Sequence, residues 1–139
     1  MKQEFYNLQI NTNGQKLYEF TNQTDEWIKK HSFKDGILNL SIQHTSASLI
    51  VQENADPDVQ TDLINYFDNL APMNDKLYIH NTEGKDDMPA HIKSTLTNNQ
   101  ISLSIKDGEL LLGTWQGIYL FEHRINAQKR TVIHHFFGV

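Results

Sequence analysis

The chain has 139 residues, a formal net charge of −5 and no cysteine. This length fits one domain, residues 1–139, that is large enough to bury a core. The lack of cysteine excludes disulfides, thiolate metal sites and a cysteine nucleophile. The negative charge, without a clustered basic face, argues against nucleic-acid binding. The polar start Met1–Tyr6 lacks the apolar centre of a signal peptide, and no apolar run approaches the roughly 20 residues of a membrane helix. We therefore expect a cytoplasmic protein without membrane contact.

The first third of the chain predicts three strands and a helix. Alternating apolar residues predict strands at residues 2–10, 17–20 and 37–42. Asn13-Gly14 is typical of a hairpin turn, and Asp35-Gly36 of a turn into the third strand. Residues 24–31 predict a short helix, because acids come early and bases late along its dipole.

The middle of the chain predicts a helix between two strands. Residues 48–52 are extended and apolar in character, and residues 76–80 predict another strand. Asp56-Pro57 predicts a helix start, with a capping acid followed by proline at the first helical position. The helix ends before Pro72 and has one apolar stripe, formed by Val59, Leu63, Ile64, Phe67 and Leu70.

The last third of the chain is rich in predicted strands. They are expected at residues 101–105, 110–115, 118–122 and 130–137. Asp107-Gly108 predicts a hairpin turn. Strands joined mostly by hairpins around two or three helices indicate an α+β fold with an antiparallel sheet, and not a βαβ repeat.

The most polar segment is residues 80–94, with two histidines, three acids and two lysines. Asp87, followed by Pro89, predicts a helix start. His91 would lie near the positive end of this helix, which favours a neutral ring that can bind a metal or accept a proton. Asp87 is therefore either a helix cap or a functional acid, and its neighbours Glu83 and Asp86 are candidate acids, bases or partners of a ligating histidine.

His44 closes the strand at 37–42 and could join His80 and His91 from a distance. Three neutral imidazoles with an open position are the arrangement of a catalytic zinc. The spacing of His80 and His91 matches no zinc motif. The sequence therefore leaves open that these histidines are surface residues, and that His44 and the following hydroxyl residue Ser46 only satisfy backbone groups at a strand end.

Other polar residues are candidates for ligand binding. Arg124 can pair with phosphate or carboxylate, although an exposed arginine is the alternative. Asn54, where a strand meets a helix, either binds a ligand or shapes the turn. The segment Gly113–Gly117 predicts a bulge or a close approach by a ligand, which would involve Trp115 and Gln116; the alternative is a strand bend with Trp115 in the core.

Several blocks carry a resemblance to a known family, in the family's order from about residue 40 onward. They are Gln43–Leu49, Glu53–Pro57, Glu83–Ser94, Gly113–Ile118 and Glu122–Arg124. With these blocks the chain resembles the YjbQ-type family, whose members are often labelled secondary thiamine-phosphate synthase. The resemblance implies a curved antiparallel half-barrel sheet, a homotrimer, and a metal pocket that falls on His44, His80 and His91. It also implies a weak synthase activity that joins a pyrimidine diphosphate to a thiazole phosphate.

We therefore predict a metal-assisted enzyme acting on a small phosphorylated or otherwise anionic metabolite. The expected metal is zinc, which suits histidine ligands, or magnesium with a diphosphate substrate. The expected catalytic residues are Asp87, Glu83 and Lys93, and the expected substrate contacts are Ser46, Asn54, Trp115, Gln116 and Arg124. One alternative is a non-catalytic trimer that binds a metal or metabolite. Another is a polar cluster that only orders the trimer contact.

Overall fold

A computed structural model describes residues 1–139 as eight strands, three α-helices and one short 3-10 turn. The strands are β1 (Lys2–Thr12), β2 (Lys16–Glu19), β3 (Gly36–Ile42), β4 (Ala47–Glu53), β5 (Gln100–Lys106), β6 (Glu109–Leu110), β7 (Gln116–Glu122) and β8 (Gln128–Gly138). The helices are α1 (Thr21–Lys30), α2 (Pro57–Leu70) and α3 (Asp87–Leu96).

The strands form two antiparallel sheets. The larger sheet has the order β1-β8-β3-β5-β6 and curls into a half-barrel, and the smaller has the order β2-β7-β4. Alternate residues of both sheets and the apolar face of α1 meet in one core, which includes Leu38, Leu120, Phe136 and Ile28. The predicted α+β class with a curved antiparallel sheet is confirmed. No helix is long and apolar enough to cross a membrane.

The prediction that the strands on either side of Asn13-Gly14 pair as a hairpin is wrong. The chain does turn there, with Gly14 at a φ of +96°. However, β1 pairs along its length with β8, and β2 pairs with β7. The turn therefore carries the chain from one sheet to the other. A turn dipeptide specifies a local reversal, whereas the pairing partner of a strand depends on residues far away in the sequence.

Two other strand predictions are corrected. Residues 76–80 form no strand; a 3-10 turn covers Asp75–Leu77, where the Asn74 side chain accepts a hydrogen bond from the Lys76 amide at 3.1 Å. Ile79 is fully exposed, so nothing covers the apolar side of this segment. Of the strand predicted at residues 110–115, only Leu110 is in a strand, as the second residue of β6. A segment with the residue pattern of a strand becomes one only where a neighbouring strand can form backbone hydrogen bonds with it.

The pair β4 and β7 positions most of the candidate residues. Their register runs from Ala47 opposite Glu122 to Glu53 opposite Gln116. Residues just before β4 and just after β7 therefore lie at one end of the pair. Helix α3 is held at that same end, where the Ser94 hydroxyl donates to the Ala47 carbonyl at 3.1 Å.

Candidate metal centre

Two histidines and an aspartate converge at the start of α3. Nε2 of His80 lies 2.7 Å from Oδ2 of Asp87, and Nε2 of His91 lies 3.1 Å from the same oxygen. Asp87 and His91 are one helical turn apart, so their side chains share a face of α3. The ligand atoms of the three residues all lie within 4.8 Å of one another. Two imidazole nitrogens and one carboxylate oxygen suit zinc or another transition metal better than magnesium.

The hydrogen bonding of His91 fits a cation at this position. Its Nδ1 lies 2.8 Å from the Thr45 carbonyl oxygen, which can only accept, so Nδ1 carries the proton. A neutral His91 ring then directs the lone pair of Nε2 at the Asp87 carboxylate. These two groups repel each other unless a proton or a metal ion lies between them.

The charges around His80 and Asp87 favour an ionised carboxylate. The hydrogen bond with Asp87 raises the pKa of His80, and the negative charge of Glu83 adds to this effect. Burial alone would raise the pKa of Asp87. The hydrogen bond from His80 and the charge of Arg124 outweigh burial and lower it. Asp87 is therefore in the anionic form that a metal requires.

Asp87 does not cap α3, because it is the first residue of the helix and its carboxylate contacts His80 and His91. The residue before it, Asp86, makes no side-chain cap hydrogen bond either. Asp86 is buried, and its Oδ2 accepts from Nε of Arg124 and from the Ile125 amide, both at 2.9 Å. Asp86 is predicted from the sequence as a candidate acid, base or partner of a ligating histidine. In the structure its carboxylate contacts Arg124 and the Ile125 backbone instead.

Arg124 contacts protein acids instead of lying open to an anionic ligand. Besides Asp86, its guanidinium donates to Oδ1 of Asp87 at 2.6 Å and to the Glu83 carbonyl at 3.0 Å. These contacts connect the end of β7 to residues 83–87. Glu83 itself stays exposed, with its carboxylate 3.2 Å from Nε2 of His80.

His44 is not part of the cluster. Its Nε2 accepts the Thr131 amide hydrogen bond at 3.1 Å, which matches the alternative of a histidine that satisfies a backbone group at a strand end. Burial, together with the positive charge of Arg130, lowers the pKa of His44. The hydroxyl of Ser46 accepts from Arg130 at 3.0 Å. In place of a third histidine, the structure provides the Asp87 carboxylate.

Lys93 lies on the side of α3 that faces the protein interior. Its side chain is 2% exposed, and its ammonium lies 2.6 Å from Oδ1 of Asp68 on α2. Residues two apart on a helix do not share a face, so Lys93 points away from His91. In this arrangement the ammonium stabilises the contact between α2 and α3 and does not reach the cluster.

Three predicted substrate contacts lie at the opposite end of β4 and β7, separated from the cluster by about 20 Å for seven-residue strands. Trp115 is 62% exposed and does not belong to the core. Gln116 accepts a hydrogen bond from the Gly113 amide at 2.7 Å, and Asn54 makes a long contact of 3.5 Å with Glu19. Within one chain, these residues do not share a site with His80 and His91.

Comparison with known proteins finds relatives along nearly the whole chain. The family model described as UPF0047 protein YjbQ-like matches residues 6–139. UPF0047 protein sll1880 of Synechocystis is 47% identical over 131 residues, which is 94% of this chain and 89% of that protein. UPF0047 protein YjbQ of Salmonella typhimurium is 46% identical over 79% of this chain and 82% of that protein. The crystal structure of an uncharacterised YjbQ/UPF0047 protein from Clostridium acetobutylicum superposes with a TM-score of 0.83 at 30% identity, covering 96% of this chain and 99% of that one.

Proposed function

This chain belongs to the UPF0047 family of YjbQ-like proteins, and from that premise we propose that His80, Asp87 and His91 bind a divalent transition metal. We further propose that the metal centre acts on a small anionic metabolite. The family consists of uncharacterised proteins, so membership by itself assigns no reaction. The proposal therefore rests on the geometry of the cluster.

The supporting observation is the convergence of the two Nε2 atoms on one oxygen of Asp87. Zinc bonds of about 2.0–2.2 Å in tetrahedral geometry place neighbouring ligand atoms roughly 3.4 Å apart. The distances of 2.7 Å and 3.1 Å to Oδ2 of Asp87 are shorter by a few tenths of an ångström. An ion would require these atoms to separate slightly, and the side chain of His80, which is 42% exposed, has room to move. When bound, zinc would supply Lewis acidity and a coordinated water of lowered pKa.

The family resemblance and the metal ligands support different parts of the substrate proposal. That the substrate is a phosphorylated metabolite, and that the reaction is thiamine-phosphate synthesis, are predictions from the resemblance. Nitrogen ligands favour zinc, and magnesium would be expected only with a diphosphate that brings oxygen ligands of its own. Glu83 is the best placed group to move a proton, because its carboxylate is exposed and lies beside His80.

Replacing one ligand tests the metal centre. We expect His91→Ala to weaken zinc binding by roughly 100-fold or more, because a zinc site worth about 10 kcal/mol shared among three or four ligands loses about 2.5–3 kcal/mol with one of them. Isothermal titration with zinc, on protein purified without an affinity tag, measures this change. His135→Ala is the matched control, since His135 lies on the outer face of β8 and bonds to Gln3. Equal zinc affinity for wild type and His91→Ala would contradict the proposed metal centre.

A second candidate is a metal- or metabolite-binding protein without catalysis. The side chains of His80 and Glu83 are 42% and 65% exposed, so the cluster opens to solvent on their side. Catalytic sites usually exclude water, which this surface does not do within one chain. In the predicted homotrimer, a neighbouring subunit that covers the cluster would exclude water from it. Light scattering tests the trimer, and turnover of thiamine precursors by metal-loaded wild type above that of His91→Ala would favour the enzyme.

A further inference from the structure

Arg124 has a fixed orientation at the edge of the cluster. Its Nη1 donates to Asp87, its Nε donates to Asp86, and its Nη2 donates to the Glu83 carbonyl. The side chain is only 19% exposed. A planar guanidinium with three acceptors in different directions cannot rotate without losing hydrogen bonds. It therefore restricts the groups that it contacts.

The two oxygens of Asp87 have different partners because of this restriction. Oδ1 accepts from Nη1 of Arg124 at 2.6 Å. Oδ2 faces the Nε2 atoms of His80 and His91. With one oxygen in a short, charge-assisted hydrogen bond, the carboxylate has only the other oxygen available for a metal.

The neighbouring residues are arranged to maintain the Arg124 contacts. Oδ2 of Asp86 binds both the guanidinium and the Ile125 amide, so side chain and backbone are held by the same carboxylate. Gly84 has a φ of +102°, and a Cβ there would lie 2.9 Å from Oδ1 of Asp86. Glycine is thus needed both for the backbone conformation and for space beside the carboxylate.

We infer that Arg124 is a positioning residue that makes Asp87 a one-oxygen metal ligand; the inference rests on the metal centre proposed above. The protein then supplies three ligand atoms, one each from His80, Asp87 and His91. Three protein ligands and an open position are typical of catalytic zinc, whereas closed structural sites use four. Arg124 therefore preserves the position at which water or a substrate oxygen could bind.

A substitution that keeps the charge tests the positioning role. Arg124→Lys retains a cation but loses the planar fork. We expect the zinc Kd to rise by about 10–100-fold, the range typical of groups that orient metal ligands. We also expect weaker visible absorption of the cobalt(II)-loaded protein. Without the guanidinium, Oδ1 of Asp87 would be free to bind the metal as a further ligand atom. Cobalt(II) absorbs most strongly in a tetrahedral site, so the higher coordination number would weaken its absorption.

The sign of the change in affinity separates positioning from simple electrostatics. Loss of a nearby positive charge favours a bound cation, so charge alone predicts tighter zinc binding for Arg124→Gln. Positioning predicts weaker binding for Arg124→Gln as well as for Arg124→Lys. Lys85→Gln is the matched control, because Lys85 is exposed in the same segment and forms no ion pair. We expect this control to leave the zinc Kd unchanged or to lower it.

The possible results distinguish this inference from the metal centre itself. If wild type binds zinc, and Arg124→Lys shows the same Kd and the same cobalt spectrum, the inference is overturned and the metal centre stands. If wild type binds no metal, the proposed function fails and the inference fails with it. Asp86→Asn tests the same role should Arg124→Lys not fold. It weakens one guanidinium contact, and we expect a zinc Kd between those of wild type and Arg124→Gln.

Discussion

Glu122→Gln is expected to lower the free energy of unfolding by about 3–5 kcal/mol, the range for removing one partner of a buried ion pair. Glu122 is 0% exposed and Arg130 is 5% exposed. The carboxylate accepts from Nε of Arg130 at 2.8 Å and from Nη2 at 2.6 Å, and it also accepts the Thr12 hydroxyl. A glutamine leaves the guanidinium buried without a negative charge beside it. Urea unfolding at neutral pH measures the loss.

A double-mutant cycle shows whether this loss comes from the ion pair. Arg130→Met should be destabilising too, because it leaves the Glu122 carboxylate without its cation. Glu122→Gln combined with Arg130→Met should lose less stability than the sum of the two single variants, since no unpaired charge is left. Additive losses would show that the two residues act independently, which contradicts the prediction.

Acidification from about pH 7.5 to about pH 5 is expected to lower the free energy of unfolding by about 4 kcal/mol through two buried histidines. Burial, aided by the charges of Lys93 and Arg130, lowers the pKa of His123 from 6.5 to about 3. Burial lowers the pKa of His134 from 6.5 to about 4, against the opposing effect of the Val132 carbonyl, which accepts a hydrogen bond from Nδ1. Both rings are therefore neutral in the folded protein at pH 5.

The sign of the effect follows from proton binding. Below pH 6.5 the unfolded chain binds protons on these histidines and the folded chain does not, so stability falls as the pH falls towards the folded pKa values. Each histidine contributes about 1.36 kcal/mol per pH unit, or about 2 kcal/mol over the 1.5 units below its unfolded pKa. His80 acts in the opposite sense, because its pKa is raised in the folded protein. The contribution of each histidine to the pH dependence of the free energy of unfolding is therefore best measured by comparing variants.

His134→Phe isolates one of the two contributions. The ring of His134 lies among the aromatic side chains of Tyr6, Phe20 and Trp27, so a phenyl ring suits the position. The Thr24 hydroxyl loses its 2.9 Å contact with Nε2 of His134, but the Phe20 carbonyl, 3.0 Å away, can still accept its proton. We expect this variant to lose about 2 kcal/mol less stability than wild type between pH 7.5 and pH 5. The same pH dependence in both proteins, measured by urea unfolding, would contradict the assignment to His134.

Features that depend on neighbouring residues were predictable from the sequence. The start of α2 follows the prediction from Asp56-Pro57, because the Asp56 side chain accepts from the Asp58 amide at 2.9 Å. Asp107 and Gly108 both adopt a positive φ, and β5 and β6 pair directly around them. The one-turn spacing of Asp87 and His91 likewise places them on one face of a helix. In each case the interacting groups lie within five residues of each other.

The candidate metal site depends only partly on residues that are close together in the sequence. His80 reaches Asp87 from seven residues away, which the dense polar segment suggested without fixing the geometry. His44 was expected to join it, yet its nitrogen faces the Thr131 amide on β8. Arg124 was expected to bind an anion and instead contacts two acids that lie about 40 positions earlier in the chain. None of these partners can be chosen from polarity or spacing.

The sequence by itself determined the α+β class, most strand and helix positions, and the segment that contains His80, Asp87 and His91. These follow from periodicity, caps and turns, which are local interactions. The tertiary structure alone decided that β1 pairs with β8 and not with β2, that Asp87 and not His44 completes the cluster, and that Arg124 holds one oxygen of Asp87. These contacts depend on long-range packing, in which many partners are compatible with the same local pattern and only the folded core selects one.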